Sequence, residues 1–172
     1  RNISSNLALD KNNEVWALDN NFRGSLNSIK NKRNLIQIFC DICDFNKTKR
    51  LIRDANTVFH LAAINGTKNF YEIPDKVLEV GILGTHNIAK ACIKYDVDRL
   101  VFASSSEVYG EPLENPITEN FITQGKTVYA ITKLAGEELC KAYSQQYPME
   151  FTILRYFNCY GPYQTAQFVI AK

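Results

Sequence analysis

Tyr129-Ala130-Ile131-Thr132-Lys133 sets a phenol and an ammonium four positions apart, on one face of the chain if the segment is helical. Upstream, Ala103-Ser104-Ser105-Ser106-Glu107-Val108-Tyr109-Gly110 supplies hydroxyls and a carboxylate at the end of an apolar run. A hydroxyl, a phenol and an ammonium held together suit oxidation of an alcohol by hydride transfer. The phenol must act as a base, yet an unperturbed tyrosine ionises only at about pH 10. A neighbouring ammonium, or the positive ring of an oxidised nicotinamide, favours the phenolate. At about 4 Å and an effective dielectric of about 20, each charge contributes up to about 4 kcal/mol, enough to lower the phenol pKa by up to about three. A serine would hydrogen-bond the same substrate oxygen. Tyr-x-x-x-Lys alone arises often between two surface residues, so its weight here comes from the serine cluster and from the order of elements.

Those elements alternate. Apolar runs at 14–18, 35–39, 57–61, 99–103 and 151–154 are strand candidates, apolar on both faces as parallel strands covered by helices are. Helical spacing predicts helices over 47–53, 74–95 and 127–147. The second buries Val77, Val80, Ile88, Ala91 and Cys92; the third buries Leu134, Leu139, Ala142 and Tyr143. Strands and helices in turn, without hairpin signals, predict an α/β fold with a doubly wound, parallel Rossmann-type sheet, whose ligands sit at the carboxyl ends of the strands. The serine cluster falls at such an end. Two segments break the rhythm: residues 20–34, rich in Asn, Ser and Lys, and residues 111–126, a long excursion with two prolines.

Composition narrows the function classes. The 172 residues are 45% hydrophobic and 22% charged, with a net charge of +2, which argues against a nucleic-acid-binding face. The apolar runs are far shorter than the roughly 20 residues a membrane span needs, so no membrane partner is expected. Five irregularly spaced cysteines read as reduced thiols of a cytoplasmic protein. Cys40-x-x-Cys43 has no second pair, and no metal site is expected. His60 and His86 lack ligand spacing and take structural roles.

Further blocks stand in order along the chain: Val15-Trp16-Ala17-Leu18-Asp19-Asn20, Cys40-Asp41-Ile42, Val58-Phe59-His60-Leu61-Ala62-Ala63, Gly84-Thr85-His86-Asn87 and Leu154-Arg155-Tyr156-Phe157-Asn158-Cys159-Tyr160-Gly161-Pro162. Together with the serine cluster and the Tyr-Lys pair, they make the chain similar to the extended short-chain dehydrogenase/reductase family. Within that family it resembles the NAD-dependent nucleotide-sugar epimerases and dehydratases, both the UDP-glucose 4-epimerases and the UDP-glucuronate decarboxylases. The resemblance implies Tyr129 as catalytic base, Lys133 as its electrostatic partner and a ribose contact, and Ser105 as the catalytic hydroxyl. It implies Asp19 and Asn20 at the adenosine ribose, where an acidic side chain favours NAD over NADP. It further implies Asp41 and Ile42 at the adenine, and Leu61, Ala62 and Ala63 beneath the dinucleotide. Ser104 and Tyr156 complete the cofactor contacts, with Ser105, Ser106 and Asn158 toward a nucleotide-sugar substrate, UDP-linked by the resemblance. Glu107 is a possible further acid/base, as in dehydratases and decarboxylases; a solvated carboxylate is the plainer alternative. The family reading covers isomerases and lyases alike, and implies a homodimer built on the helices of 74–95 and 127–147.

The chain also departs from that pattern. Arg1 and Ser4 stand where the phosphate-binding turn has its second and last glycines, Gly81 where a cofactor-side asparagine is usual, and Tyr163 where an arginine often follows Gly-Pro. Residues 1–172 are thus expected to form an NAD-binding domain incomplete at its N-terminus, lacking the first strand of its sheet, with the substrate domain absent after 172. A non-catalytic relic that has lost cofactor binding is the alternative reading.

Overall fold

The computed structural model describes residues 2–112 and 114–161; Arg1, Pro162 and Tyr163 lie outside them. Helix α1 spans Asn2–Leu7, and strand β1, Val15–Asp19, pairs in parallel with β2, Leu35–Phe39. Helix α2, Phe45–Ile52, begins at Asp44, whose carboxylate accepts from the Lys47 amide at 3.1 Å as an N-cap. Strands β3 (Thr57–His60), β4 (Arg99–Ser105) and β5 (Glu150–Tyr156) form a second parallel sheet in the order β3-β4-β5. Between β3 and β4 lie α3 (Thr67–Glu72), α4 (Pro74–Leu78), a π-helical turn (Glu79–Gly84) and α5 (Thr85–Lys94). A 3-10 turn, Ser106–Tyr109, follows β4, and α6, Val128–Gln146, precedes β5.

All strand pairs are parallel, as the alternating pattern requires, and every expected strand is present within one or two residues. The sheet is split. In a doubly wound sheet of order 3-2-1-4-5-6, β2-β1 and β3-β4-β5 match positions 3-2 and 4-5-6, and the break falls at position 1. Consequently the strands flanking the break do not bury both faces: Val15 and Ala17 are inside, but Trp16 is 44% and Phe59 39% exposed. Only β4 is buried along nearly its whole length, and the main core gathers Leu100 and Phe102 with Val77, Ile88, Cys92 and Cys140.

Two helices differ from their apolar periodicity. The expected helix over 74–95 buries all five predicted residues, but it is interrupted by the π turn. Here the backbone lies directly on its neighbours: a Cβ added at Gly81 would sit 2.5 Å from the Thr132 Cβ, and one at Gly84 would overlap the Ile42 side chain. In α6 the predicted stripe is not the buried one. Leu134, Leu139 and Tyr143 are half-buried and Ala142 is exposed, while Tyr129, Thr132, Lys133, Gly136 and Glu137 face inward. The polar residues among them turn inward because each finds a hydrogen-bond partner there.

Gly81→Ala should therefore destabilise the protein by about 1–3 kcal/mol, the usual effect of overpacking. Urea unfolding of the full-length protein checks this; an unchanged midpoint would mean that the π turn does not rest on Thr132.

Candidate active site

β4 delivers the site. Its last residue, Ser105, lies opposite Tyr156 in the register of β4 and β5, and its hydroxyl accepts from the Glu107 amide at 3.2 Å, capping the turn that carries Glu107. Gly110, at φ +62°, ends that turn, and a Cβ there would collide with the Gln124 carbonyl. The excursion then returns through Gln124, whose amide donates to the Val108 carbonyl at 2.8 Å. Thr127 caps α6, its hydroxyl accepting from the Ala130 amide at 3.0 Å. The same hydroxyl lies 3.5 Å from Glu107 Oε2.

In the first turn of α6, the buried Tyr129 ring stacks on Phe70 of α3, with centroids 5.1 Å apart. Burial holds its phenol above the ordinary value; the Ser105 hydroxyl pulls it down, the Glu107 carboxylate pushes it further up and Arg23 opposes. Lys133 donates from Nζ to the Ala103 carbonyl at 2.7 Å and lies 5.4 Å from the Tyr129 ring centroid and 5.1 Å from that of Phe102. Burial pulls this ammonium down to about 8. In the chain by itself, then, the lysine gives up its proton before the phenol does. Ser105, Glu107 and Lys133 all lie against Tyr129, but Lys133 gives its hydrogen bond to the main chain under the ring.

The residues expected at the cofactor divide. Asp19 is exposed at the end of β1, its Oδ1 accepting from the Asn21 amide at 2.6 Å. Asp41 accepts from the Cys43 amide at 2.9 Å and from Asn20 at 3.2 Å, and the amide bond above all keeps its carboxyl low. Leu61 and Ala62 are exposed apolar surface after β3, with Ala63 half-buried beside them. Just beyond, Asn65 Oδ1 is buried with no hydrogen-bond partner among the described residues. Carboxylates at two strand ends, an apolar floor and an orphaned amide oxygen fit a dinucleotide. Two residues depart from expectation. Ser104 gives its hydroxyl to Glu137 Oε1 at 2.5 Å, and Ile42 buries its side chain in the core while its carbonyl takes Asn87; both side chains are spent on the fold. Tyr156 and Asn158 are exposed at the end of β5, and Ser106 opens the 3-10 turn. Ser4 lies in α1.

Phe70, Asn65 and Glu137 escaped the sequence reading: α3 is too short to show periodicity, and nothing local marks an unpartnered amide or a buried carboxylate. Burial raises the thiols of Cys40 and Cys43, the latter to about 11. His60, 2.9 Å from the Thr85 hydroxyl, is kept neutral by burial and Lys133, with a pKa of about 3. Among the described residues no cluster of three His, Cys, Asp or Glu could hold a metal, and no helix is long and apolar enough to cross a membrane.

The sequence pattern of the NAD dependent epimerase/dehydratase family matches residues 2–172. The UDP-N-acetyl-alpha-D-glucosaminuronate decarboxylase of Bacillus cytotoxicus is 35% identical over 93% of this chain and 52% of its own length. The UDP-N-acetylglucosamine 4-epimerase of Methanobrevibacter ruminantium, solved with UDP-N-acetylmuramic acid, superposes with a TM-score of 0.88 at 29% identity, covering 96% of this chain and 54% of that one. The Thermus thermophilus UDP-glucose 4-epimerase, solved with NAD, gives 0.83 at 33% identity, over 91% and 51%. The chain spans about half the length of the curated relatives it matches.

The buried lysine has a measurable signature. NMR titration of labelled lysine side chains in the full-length, cofactor-free protein should show one ammonium titrating near pH 8 and absent in Lys133→Met. Because the folded value lies below the ordinary 10.5, this group disfavours folding at neutral pH, and stability rises as pH climbs from about 8 toward 10.5. Lys133→Met should flatten that rise; a wild type whose lysines all titrate above about pH 10 contradicts the assignment.

Proposed function

This chain belongs to the NAD dependent epimerase/dehydratase family, and we propose that in its full-length protein it is the half that binds NAD and oxidises the 4-hydroxyl of a nucleotide-linked sugar. The observation that carries this reading is the meeting of Ser105, Tyr129, Lys133 and Glu107 at the carboxyl end of β4, where doubly wound sheets bind their ligands. When bound, NAD supplies the hydride acceptor and a positive ring that favours the phenolate. Tyr129 takes the hydroxyl proton and Ser105 hydrogen-bonds the same oxygen. Lys133, charged below about pH 8, supports the phenolate electrostatically through the ring it underlies. Asp19 receives the adenosine ribose, Asp41 the adenine, and Leu61 to Ala63 floor the dinucleotide. Tyr156 and Asn158 face the sugar-nucleotide side.

Glu107 decides the fate of the ketone. It sits beside Tyr129, is exposed toward the site and is held by the Thr127 hydroxyl, which supports a second acid/base role in elimination or decarboxylation rather than simple return of hydride. The UDP linkage rests on the B. cytotoxicus, M. ruminantium and T. thermophilus relatives. A homodimer is part of the same reading: Ile82 and Leu83 (each 44% exposed) and Ile131 (48%) leave the helices around the π turn and α6 with uncovered apolar side chains, which a second copy would bury.

Tyr129→Phe in the full-length protein should lower turnover of a UDP-sugar by about 10²- to 10⁴-fold while NAD still binds; wild-type turnover in that variant would sink the mechanism. Glu107→Gln should keep the sugar oxidation but stop loss of water or carbon dioxide, leaving the 4-keto sugar visible by NMR. If Glu107→Gln matches wild type in both, the carboxylate is only a solvated one. Ile131→Glu should convert the dimer to monomer in analytical ultracentrifugation; a dimer that survives places the interface elsewhere.

A further inference from the structure

Glu137, one helical turn beyond Lys133, is a carboxylate only 1% exposed. Its Oε1 accepts from the Ser104 hydroxyl at 2.5 Å and from Arg155 Nε at 2.9 Å, and its Oε2 accepts from Arg155 Nη2 at 2.7 Å. Burial alone would raise this carboxyl, but the Arg155 and Ser104 bonds outweigh it and hold the group ionised. The two-pronged pair uses only one side of the guanidinium. The remaining nitrogen, Nη1, donates to the Tyr109 phenol oxygen at 2.9 Å and to the Glu119 main-chain carbonyl at 3.0 Å. The Arg155 side chain is itself 17% exposed.

These partners have one thing in common. Tyr109 closes the turn that carries Glu107 and follows Ser105. Glu119 lies in the middle of the excursion that joins this turn to Thr127, the cap of the helix bearing Tyr129 and Lys133. The excursion is fastened at its root by Gln124 against Val108, and the arginine fastens its middle to β5. One planar fork thus spans the catalytic helix, the catalytic turn and the segment that connects them. A buried ion pair by itself is weak evidence for stability, since desolvation offsets most of the attraction. An arginine whose remaining donors go to two further elements does more than neutralise a carboxylate.

We propose that Arg155 is a positioning residue that, through Tyr109 and the Glu119 carbonyl, fixes the Ser105–Glu107 turn relative to Tyr129 for sugar oxidation. This role rests on the proposed function of the site. Without the fork, the turn and α6 keep the Ser105–Tyr129 and Glu107–Thr127 contacts, the Glu111–Lys126 ion pair and the excursion's root, but the middle of the excursion loses its tie to β5. A displacement of about 1 Å is enough to cost on the order of 100-fold in rate.

The test uses the full-length protein with three variants: Arg155→Lys, which keeps a cation beside Glu137 but cannot reach all three partners, Tyr109→Phe, which keeps the ion pair intact, and the double variant. Arg155→Lys should lower kcat for UDP-sugar oxidation by about 10- to 100-fold with KM for the sugar nearly unchanged. Tyr109→Phe should lower it less, and the double variant should be no worse than Arg155→Lys, because both remove the same link. Hydrogen exchange reads the geometry independently of activity. In Arg155→Lys, amides of residues 106–126 should exchange about tenfold faster or more, while those of β4 and β5 stay protected. Uniformly faster exchange, or unchanged exchange at 106–126, overturns the proposal, as does a double variant whose losses multiply. If the wild type shows no turnover, the function reading fails while the exchange pattern still decides the positioning role.

Discussion

The structure depends on α6 laying a polar face against β4. Lys133 is bound to the Ala103 carbonyl, and Glu137, one turn on, takes the hydroxyl of Ser104, the next residue of β4. Opposite charges four residues apart are thereby buried on consecutive positions of one strand. Burial of either group alone would be costly; each is accepted because its partner is fixed before any ligand arrives. Tyr129 is carried to Ser105 by the same docking, and the glycine that allows it is Gly136, whose missing Cβ leaves room for the Phe102 ring. The site is therefore a consequence of how the helix sits and needs little adjustment of its own side chains.

This docking also explains an electrostatic oddity. Before a cofactor is bound, the phenol is held up and the ammonium down, both by burial. That order is the reverse of what base catalysis asks for. In the proposed function, positive charge entering beside Tyr129 would lower the phenol, which would tie the chemistry to occupation of the cofactor site. Gly81 belongs to the same arrangement: in place of an asparagine it lets the π turn close onto Thr132, the residue between Tyr129 and Lys133 in the packing of α6.

Much of this was legible in the residues. Strand after strand showed as a short apolar run, although only β4 is buried along nearly its whole length, and Tyr129 with Lys133 drew their weight from the serine cluster upstream rather than from spacing alone. Helix α6 did not. Its apolar stripe of Leu134, Leu139 and Tyr143 is only flank, because hydrophobic periodicity cannot see a lysine and a glutamate that are buried with partners. Ser105 was set apart from Ser104 by the family resemblance, but that Ser104 gives its hydroxyl to Glu137 shows only in the docking of α6 on β4. Asn65 and Phe70 are invisible for a different reason: their roles arise from contacts made across the fold, in or beside a helix of six residues with no period to read.

In the proposed function this constellation takes the proton of the sugar 4-hydroxyl while the C4 hydride would pass to bound NAD. The most direct measurement uses the full-length protein and a UDP-sugar carrying deuterium at C4, with the reaction quenched before the first turnover completes and the bound cofactor examined by mass spectrometry. Deuterium should appear on the nicotinamide in the wild type and not in a protein whose Tyr129 is phenylalanine. Product formed with no deuterium on the nicotinamide at any quench time would contradict hydride transfer.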